Sequence, residues 1–149
     1  MPQLPAKARV VIIGGGVVGC SVAYHLTKLG WKDVILLERK QLTSGTTWHA
    51  AGLIGQLRAS ANMTKLAHYS AKLYTELEAE TGMATGFRQV GSISAALTAE
   101  RLEELRRNAA MARAFGVPVE ELSPAEIKSR YAHLNIDGVT GGVWLPTDG

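Results

Sequence analysis

Four β-branched residues, Val10, Val11, Ile12 and Ile13, run straight into Gly14-Gly15-Gly16-Val17-Val18-Gly19, and this junction constrains the chain more than any other stretch. A short continuous apolar run predicts a strand buried on both faces. Beyond it Val18, Val22, Leu26 and Leu29 recur at helical spacing, and Gly30 stands where a helix C-terminus takes a positive φ, so a helix from Val17 is predicted. Asp33 then leads into Val34, Ile35, Leu36, Leu37 and Glu38, a second buried strand closed by an acid. Strand, helix and strand within residues 8–39 make a βαβ unit, for which parallel strands and a right-handed crossover are expected.

Gly14, Gly16 and Gly19 form G-x-G-x-x-G between that strand and that helix, the context in which the pattern holds phosphates. Gly14 permits the tight turn. Gly16 lets backbone approach a pyrophosphate with no Cβ in the way, and Gly19 lets helix and strand pack closely. The helix start at Val17 and Val18 offers free N–H groups and partial positive charge to phosphates. Glu38 follows Gly19 by 19 residues, at the end of the second strand, where a carboxylate accepts both ribose hydroxyls of an adenosine and repels a 2′-phosphate. NADP is therefore disfavoured. Arg39 either touches the adenosine or is solvated. Cys20, at the start of the predicted helix, reads as a small buried residue and not a nucleophile.

The rest of the chain is less specific. With 46% hydrophobic and 19% charged residues, 149 residues suffice for about one domain with a core. A net charge of +3, with arginines scattered among glutamates, reads as solvated helix surface and not as a nucleic-acid face. One cysteine excludes an internal disulfide framework and suits a reducing compartment. No apolar run approaches the roughly 18 to 20 residues of a membrane span, and the first residues resemble neither a signal nor a transit peptide, so a cytoplasmic location is expected. His25, His68 and His133 read as solvated or half-buried helix residues, with spacings that offer no metal site. Asn62 is expected to cap a helix of residues 63–81 with Leu66, Tyr69, Leu73 and Leu77 as its apolar stripe. Short strands are expected at Phe87–Val90, Ser92–Leu97 and Val143–Leu145. Thr98 should cap a helix to Phe115 with Leu97 and Leu102 as a staple, and Ser123-Pro124-Ala125-Glu126 a capping box opening a helix to about Ala132. Thr147-Asp148-Gly149 closes on a turn signal with no further strand–helix pair, so an N-terminal piece of a larger protein is expected, whose isolated folding is in doubt.

The loop of residues 42–55 distinguishes FAD from NAD. Ser44, Gly45, Thr46 and Thr47 offer hydroxyls and amides to a second stretch of dinucleotide, followed by Trp48, His49, Ala50, Ala51, Gly52 and Leu53. Here the chain resembles the FAD domain of the sarcosine and dimethylglycine dehydrogenase family, within the D-amino-acid-oxidase-like flavoproteins. The resemblance runs over the glycine fingerprint, Val34 to Glu38, the Ser-Gly-Thr-Thr-Trp-His-Ala-Ala-Gly stretch, the Tyr69 to Gly82 helix and Gly91-Ser92-Ile93. It implies an α/β, Rossmann-like FAD-binding domain, present only in part across residues 1–149. It also implies cofactor contacts by Gly14, Gly16, Val17, Val18, Gly19, Glu38, Arg39, Ser44, Gly45, Thr46, Thr47, Trp48, His49, Ala50, Gly52 and Leu53. His49 matches the histidine that carries FAD covalently through the flavin 8α position, with Trp48 beside it.

The activity so implied is oxidation of an N-methyl amino acid, sarcosine or dimethylglycine. Hydride passes from the N-methyl carbon to flavin N5, and the resulting iminium is hydrolysed or captured by tetrahydrofolate in a C-terminal domain beyond these residues. Oxygen or an electron-transfer flavoprotein would be the acceptor. No catalytic residue can be named, because the substrate side of such a protein is mostly built downstream. Other readings stay open: a different flavoprotein oxidase, an NAD-dependent dehydrogenase weakened by the long loop, a fragment that binds nothing alone, and a non-catalytic regulatory protein resembling the regulatory subunit of pyruvate dehydrogenase phosphatase.

Overall fold

A computed structural model describes residues 5–149, which divide between Gly52 and Leu53 into two compact units. In the first, β1 (Val10–Ile13), α1 (Val17–Lys28) and β2 (Val34–Leu37) form the expected βαβ unit, followed by a short 3-10 helix, Thr46–His49. The strands are parallel and in register from Val10 opposite Val34 to Ile13 opposite Leu37. Gly30 ends α1 with a φ of 81°.

The two-sided burial expected of these strands is not provided within the described residues. Ile12 is buried, but Val11 is 51% and Ile13 87% exposed, and no residue of α1 is fully buried. One helix supplies one layer, whereas parallel strands need cover on both faces.

The second unit contains α2 (Ala61–Thr81), β3 (Ser92–Ala96), α3 (Ala99–Ala114), β4 (Glu120–Leu122), α4 (Pro124–Arg130) and β5 (Gly141–Leu145). Its sheet is antiparallel in the order β3-β5-β4. Ala96, Ala109 and Ala112 are buried beside Leu105, Val143 and Leu145, the small side chains letting α3 lie close on β3 and β5. Gly142 serves α4 similarly: a Cβ there would stand 2.6 Å from the Ser94 carbonyl and 3.0 Å from Cδ1 of the fully buried Ile127.

Caps set the helix boundaries. Thr98 accepts from the Arg101 N–H, and Ser123 and Glu126 make the expected reciprocal box with Pro124 behind it. Leu97 stays 66% exposed, so it is not buried as one side of a staple. The cap of α2 is Ser60, which accepts from Met63 N–H, and not Asn62. The face α2 buries carries Thr64 and Ala71; of the predicted stripe Leu73 and Leu77 are half-buried, while Leu66 and Tyr69 stay 58% and 48% exposed, so only its C-terminal half packs. Phe87–Val90 is not a strand: the Val90 N–H turns back to the Arg88 carbonyl at 3.0 Å, and Gly91 has a φ of 80°. β4 escaped sequence reasoning because only Leu122 points inward, while Glu120 and Glu121 pair outward with Arg130, Arg106 and Arg113. His133 lies in a turn, outside any helix. Among the described residues no helix is long and apolar enough to cross a membrane.

Candidate functional site

The turn after β1 is built around backbone that only glycine tolerates. Gly14 has a φ of 104°, and its N–H donates to the Leu37 carbonyl at 2.8 Å, tying the turn to the end of β2. The next N–H, of the buried Gly15, donates to Glu38 Oε2 at 2.8 Å, and Lys40 N–H donates to Oε1 at 2.9 Å. These two bonds, the Gly15 one first, hold the Glu38 carboxyl below the usual carboxylate range. A Cβ on Gly15 would lie 2.5 Å from Leu42 Cδ2 and 3.0 Å from Glu38 Cβ. Gly15 was not among the residues singled out by spacing; the run of three glycines was its only signal.

Gly16 is the N-cap of α1 and brings no side chain to cap it. Thr47 supplies the missing oxygen from the 3-10 helix: its hydroxyl accepts from Val17 N–H at 3.0 Å. A Cβ on Gly16 would stand 3.1 Å from that same oxygen. Thr43 N–H donates to the Gly15 carbonyl at 2.8 Å, a second strap from loop to turn that the sequence did not announce. Gly19 has no room for a Cβ, which would overlap the Gly14 carbonyl oxygen and lie 3.4 Å from Ile12 Cγ2. Cys20 is half-buried, its thiol toward the Gly15 carbonyl at 3.5 Å.

Of the residues named from sequence, Gly14, Gly16, Val17, Gly19, Glu38 and Thr47 meet at this turn. Val18 is 74% exposed on the first turn of α1. Trp48 is 67% exposed and tilted by 34° against the exposed His49, ring centroids 3.8 Å apart. Thr46 opens the 3-10 helix and Ala50 ends it, its N–H donating to the Thr47 carbonyl at 3.2 Å. Arg39, Ser44 and Gly45 are exposed, Ser44 N–H turning to the Gln41 carbonyl at 3.2 Å. Gly52 has a φ of 77°, and Leu53, 83% exposed, opens the second unit. No group of three or more His, Cys, Asp or Glu able to hold a metal occurs among the described residues.

The arrangement fits a dinucleotide. A glycine turn closed to side chains faces the N-terminal end of a helix, which favours anions, and an ionised carboxylate stands at the neighbouring strand end. The FAD dependent oxidoreductase model matches residues 9–149. The chain belongs to the FAD dependent oxidoreductase family. Human mitochondrial sarcosine dehydrogenase is 48% identical over 147 residues, 98% of this chain and 16% of that protein. The mitochondrial regulatory subunit of pyruvate dehydrogenase phosphatase from Mus musculus is 45% identical over 145 residues, 97% of this chain and 16% of that protein. The crystal structure of L-proline dehydrogenase from P. horikoshii superposes with a TM-score of 0.90 at 32% identity, over 98% of this chain and 38% of that one. This family member thus spans about a sixth of the length of the curated relatives it matches.

Proposed function

We propose that this chain is the FAD-binding end of an oxidoreductase acting on an N-methyl amino acid, sarcosine or dimethylglycine. The observation that carries the reading is the joined turn, in which Glu38 accepts from Gly15 N–H while Thr47 accepts from Val17 N–H. Glycine backbone, helix start, carboxylate and hydroxyl loop are thereby organised together. Gly14, Gly16, Val17, Val18 and Gly19 would hold the pyrophosphate. Glu38, flanked by Arg39, would hold the adenosine ribose, and the stretch from Ser44 to Ala50, with Gly52 and Leu53, would follow the flavin half. The chemistry FAD would supply is two-electron oxidation, accepting at N5 a hydride from the N-methyl carbon. This chain's part is to bind and orient, and His49, exposed beside Trp48, is the residue proposed to carry the 8α linkage.

Tetrahydrofolate capture and the choice between oxygen and an electron-transfer flavoprotein would be work of residues outside this chain. The cytoplasmic location expected from the sequence competes with the mitochondrial one in the relatives' names, and fractionation of cells expressing the full-length protein distinguishes them.

Acid precipitation of the full-length protein tests the reading. Flavin retained by the wild type and released by His49→Ala supports covalent attachment, and turnover of sarcosine or dimethylglycine supports the activity. Flavin released from both favours a non-covalent oxidase. The identity to a phosphatase regulatory subunit sustains a second, non-catalytic reading. Protein that never carries flavin and turns over no amine would favour that one.

A further inference from the structure

Thr47 is tied at both ends. Its hydroxyl accepts from Val17 N–H at 3.0 Å, at the start of α1, and its carbonyl accepts from Ala50 N–H at 3.2 Å, closing the 3-10 turn that contains Trp48 and His49. One residue thus grips the glycine turn with its side chain and the backbone of His49 with its main chain. Four residues earlier Thr43 N–H donates to the Gly15 carbonyl at 2.8 Å. This β-branched residue has a φ of 65°, a left-handed backbone that persists only where its surroundings hold it. The two ties, to Gly15 and to Val17, set where the 3-10 turn lies against the glycine turn.

Past Thr47 little else holds the loop. Trp48 is 67% exposed, and its ring lies against that of His49, centroids 3.8 Å apart. Among the described residues no hydrogen bond or ion pair holds the His49 ring, so its place follows from the backbone that carries it and from Trp48. Both ring nitrogens are thereby left available to form a bond.

The linkage proposed for His49 replaces one C–H bond of the flavin 8-methyl group by a C–N bond to an imidazole nitrogen. One proton leaves that carbon and one leaves the imidazole, while two electrons pass into the flavin and from it to dioxygen, which becomes hydrogen peroxide. With the phosphates held at the glycine turn, the nitrogen and that carbon meet only if the glycine turn and His49 keep one spacing. A displacement of about 1 Å in a reacting group costs on the order of a hundredfold in rate.

We infer that Thr47 is a positioning residue for this linkage, its bond to Val17 registering His49 against the phosphate turn. The inference rests on the proposed function for the linkage itself.

The test uses full-length protein produced under riboflavin limitation, given saturating FAD in air and sampled over time by acid precipitation, which reads the first-order rate of attachment. Thr47→Val, nearly the same shape without the hydroxyl, is expected to attach flavin about tenfold to a hundredfold more slowly than wild type. Thr47→Ser, which keeps the oxygen, should recover most of the rate. FAD dissociation constants measured in a His49→Ala background should weaken by a much smaller factor with Thr47→Val; affinity too low for saturation would make Thr47 a binding contact and overturn its positioning role. Attachment at the wild-type rate in folded Thr47→Val, or equally slow attachment in Thr47→Ser, overturns that role and leaves the linkage standing. A wild type that releases all its flavin in acid removes the linkage and the inference together. Thr47→Ala, read by the same outcomes, replaces the valine variant if that variant does not fold.

Discussion

Glu38 accepts the Gly15 backbone N–H at 2.8 Å, so the acid that ends β2 and the glycine turn that ends β1 are one bonded unit. The lowered carboxyl pKa has Gly15 as its first cause and Lys40 as its second. A carboxyl whose folded pKa lies below its unfolded value contributes stability above the unfolded value, and that contribution is lost as pH falls through the folded one. Glu38→Gln should therefore flatten the acid limb of the stability–pH curve while leaving the neutral-pH fold intact. It should also weaken FAD binding in the full-length protein. Urea midpoints between pH 2 and 7 and a flavin titration check the two parts, and an unchanged FAD affinity would remove Glu38 from the site.

Gly16 and Gly19 separate ligand binding from folding. A Cβ at Gly19 overlaps the Gly14 carbonyl, which is backbone and cannot swing away, so Gly19→Ala is expected to destabilise by about 1–3 kcal/mol. At Gly16 the obstacle is the Thr47 hydroxyl at 3.1 Å, part of a loop that can shift. Gly16→Val should fold and lose flavin. Circular dichroism with flavin absorbance on both purified variants reads the difference, and normal flavin content in Gly16→Val would remove the cradle assignment.

The βαβ unit and the capping box were legible because their causes are local: β-branched runs, glycine spacing, and Ser123 placed three residues before Glu126. What was not legible depends on groups distant in sequence. Thr47 caps α1 from 30 residues away, a relation no helix-start rule contains. Gly15 needs to be glycine because of Leu42 and Glu38, which spacing alone does not bring to it. The stripe on α2 held only at Leu73 and Leu77, because periodicity marks an apolar face without saying which part of it finds a partner, and here the small Ala71 and hydroxylic Thr64 are the fully buried ones.

The Ser123–Glu126 box gives a prediction independent of any ligand. Ser123 accepts from Glu126 N–H at 3.3 Å while Glu126 Oε2 accepts from Ser123 N–H at 2.7 Å and from its hydroxyl at 2.6 Å, which holds the Glu126 carboxyl below its usual range. Ser123→Ala should cost about 1 kcal/mol, measured by urea denaturation. Glu126→Gln should reduce the loss of stability on acidification, the same sign as at Glu38. A loss under a few tenths of a kcal/mol in Ser123→Ala would mean that Pro124 and the packing of Ile127 hold α4 without the cap.

Gln56 is fully buried, its Nε2 donating to the Thr147 carbonyl and hydroxyl and its Oε1 2.7 Å from His68 Nδ1, and two substitutions of nearly its own volume disturb these contacts in different ways. Gln56→Leu keeps the backbone bond to Asp148 but takes the Gln56 partner from the Thr147 hydroxyl and from His68 Nδ1, while the Thr147 carbonyl keeps the Gln89 Nε2 donor at 3.0 Å. The lost bonds should cost about 1–3 kcal/mol. Gln56→Glu still offers an acceptor to His68 but turns an oxygen toward the Thr147 carbonyl, where the amide now donates. The new carboxyl can donate to that carbonyl only when protonated, and burial favours the same form, so together they outweigh the one bond from His68 and raise its folded pKa above the unfolded value. Its stability should therefore fall as pH rises from about 4 toward that raised value. Denaturation midpoints of wild type and Gln56→Glu between pH 4 and 8 measure this. Parallel pH curves for the two would show that the side chain at this position is not held against Thr147 in solution.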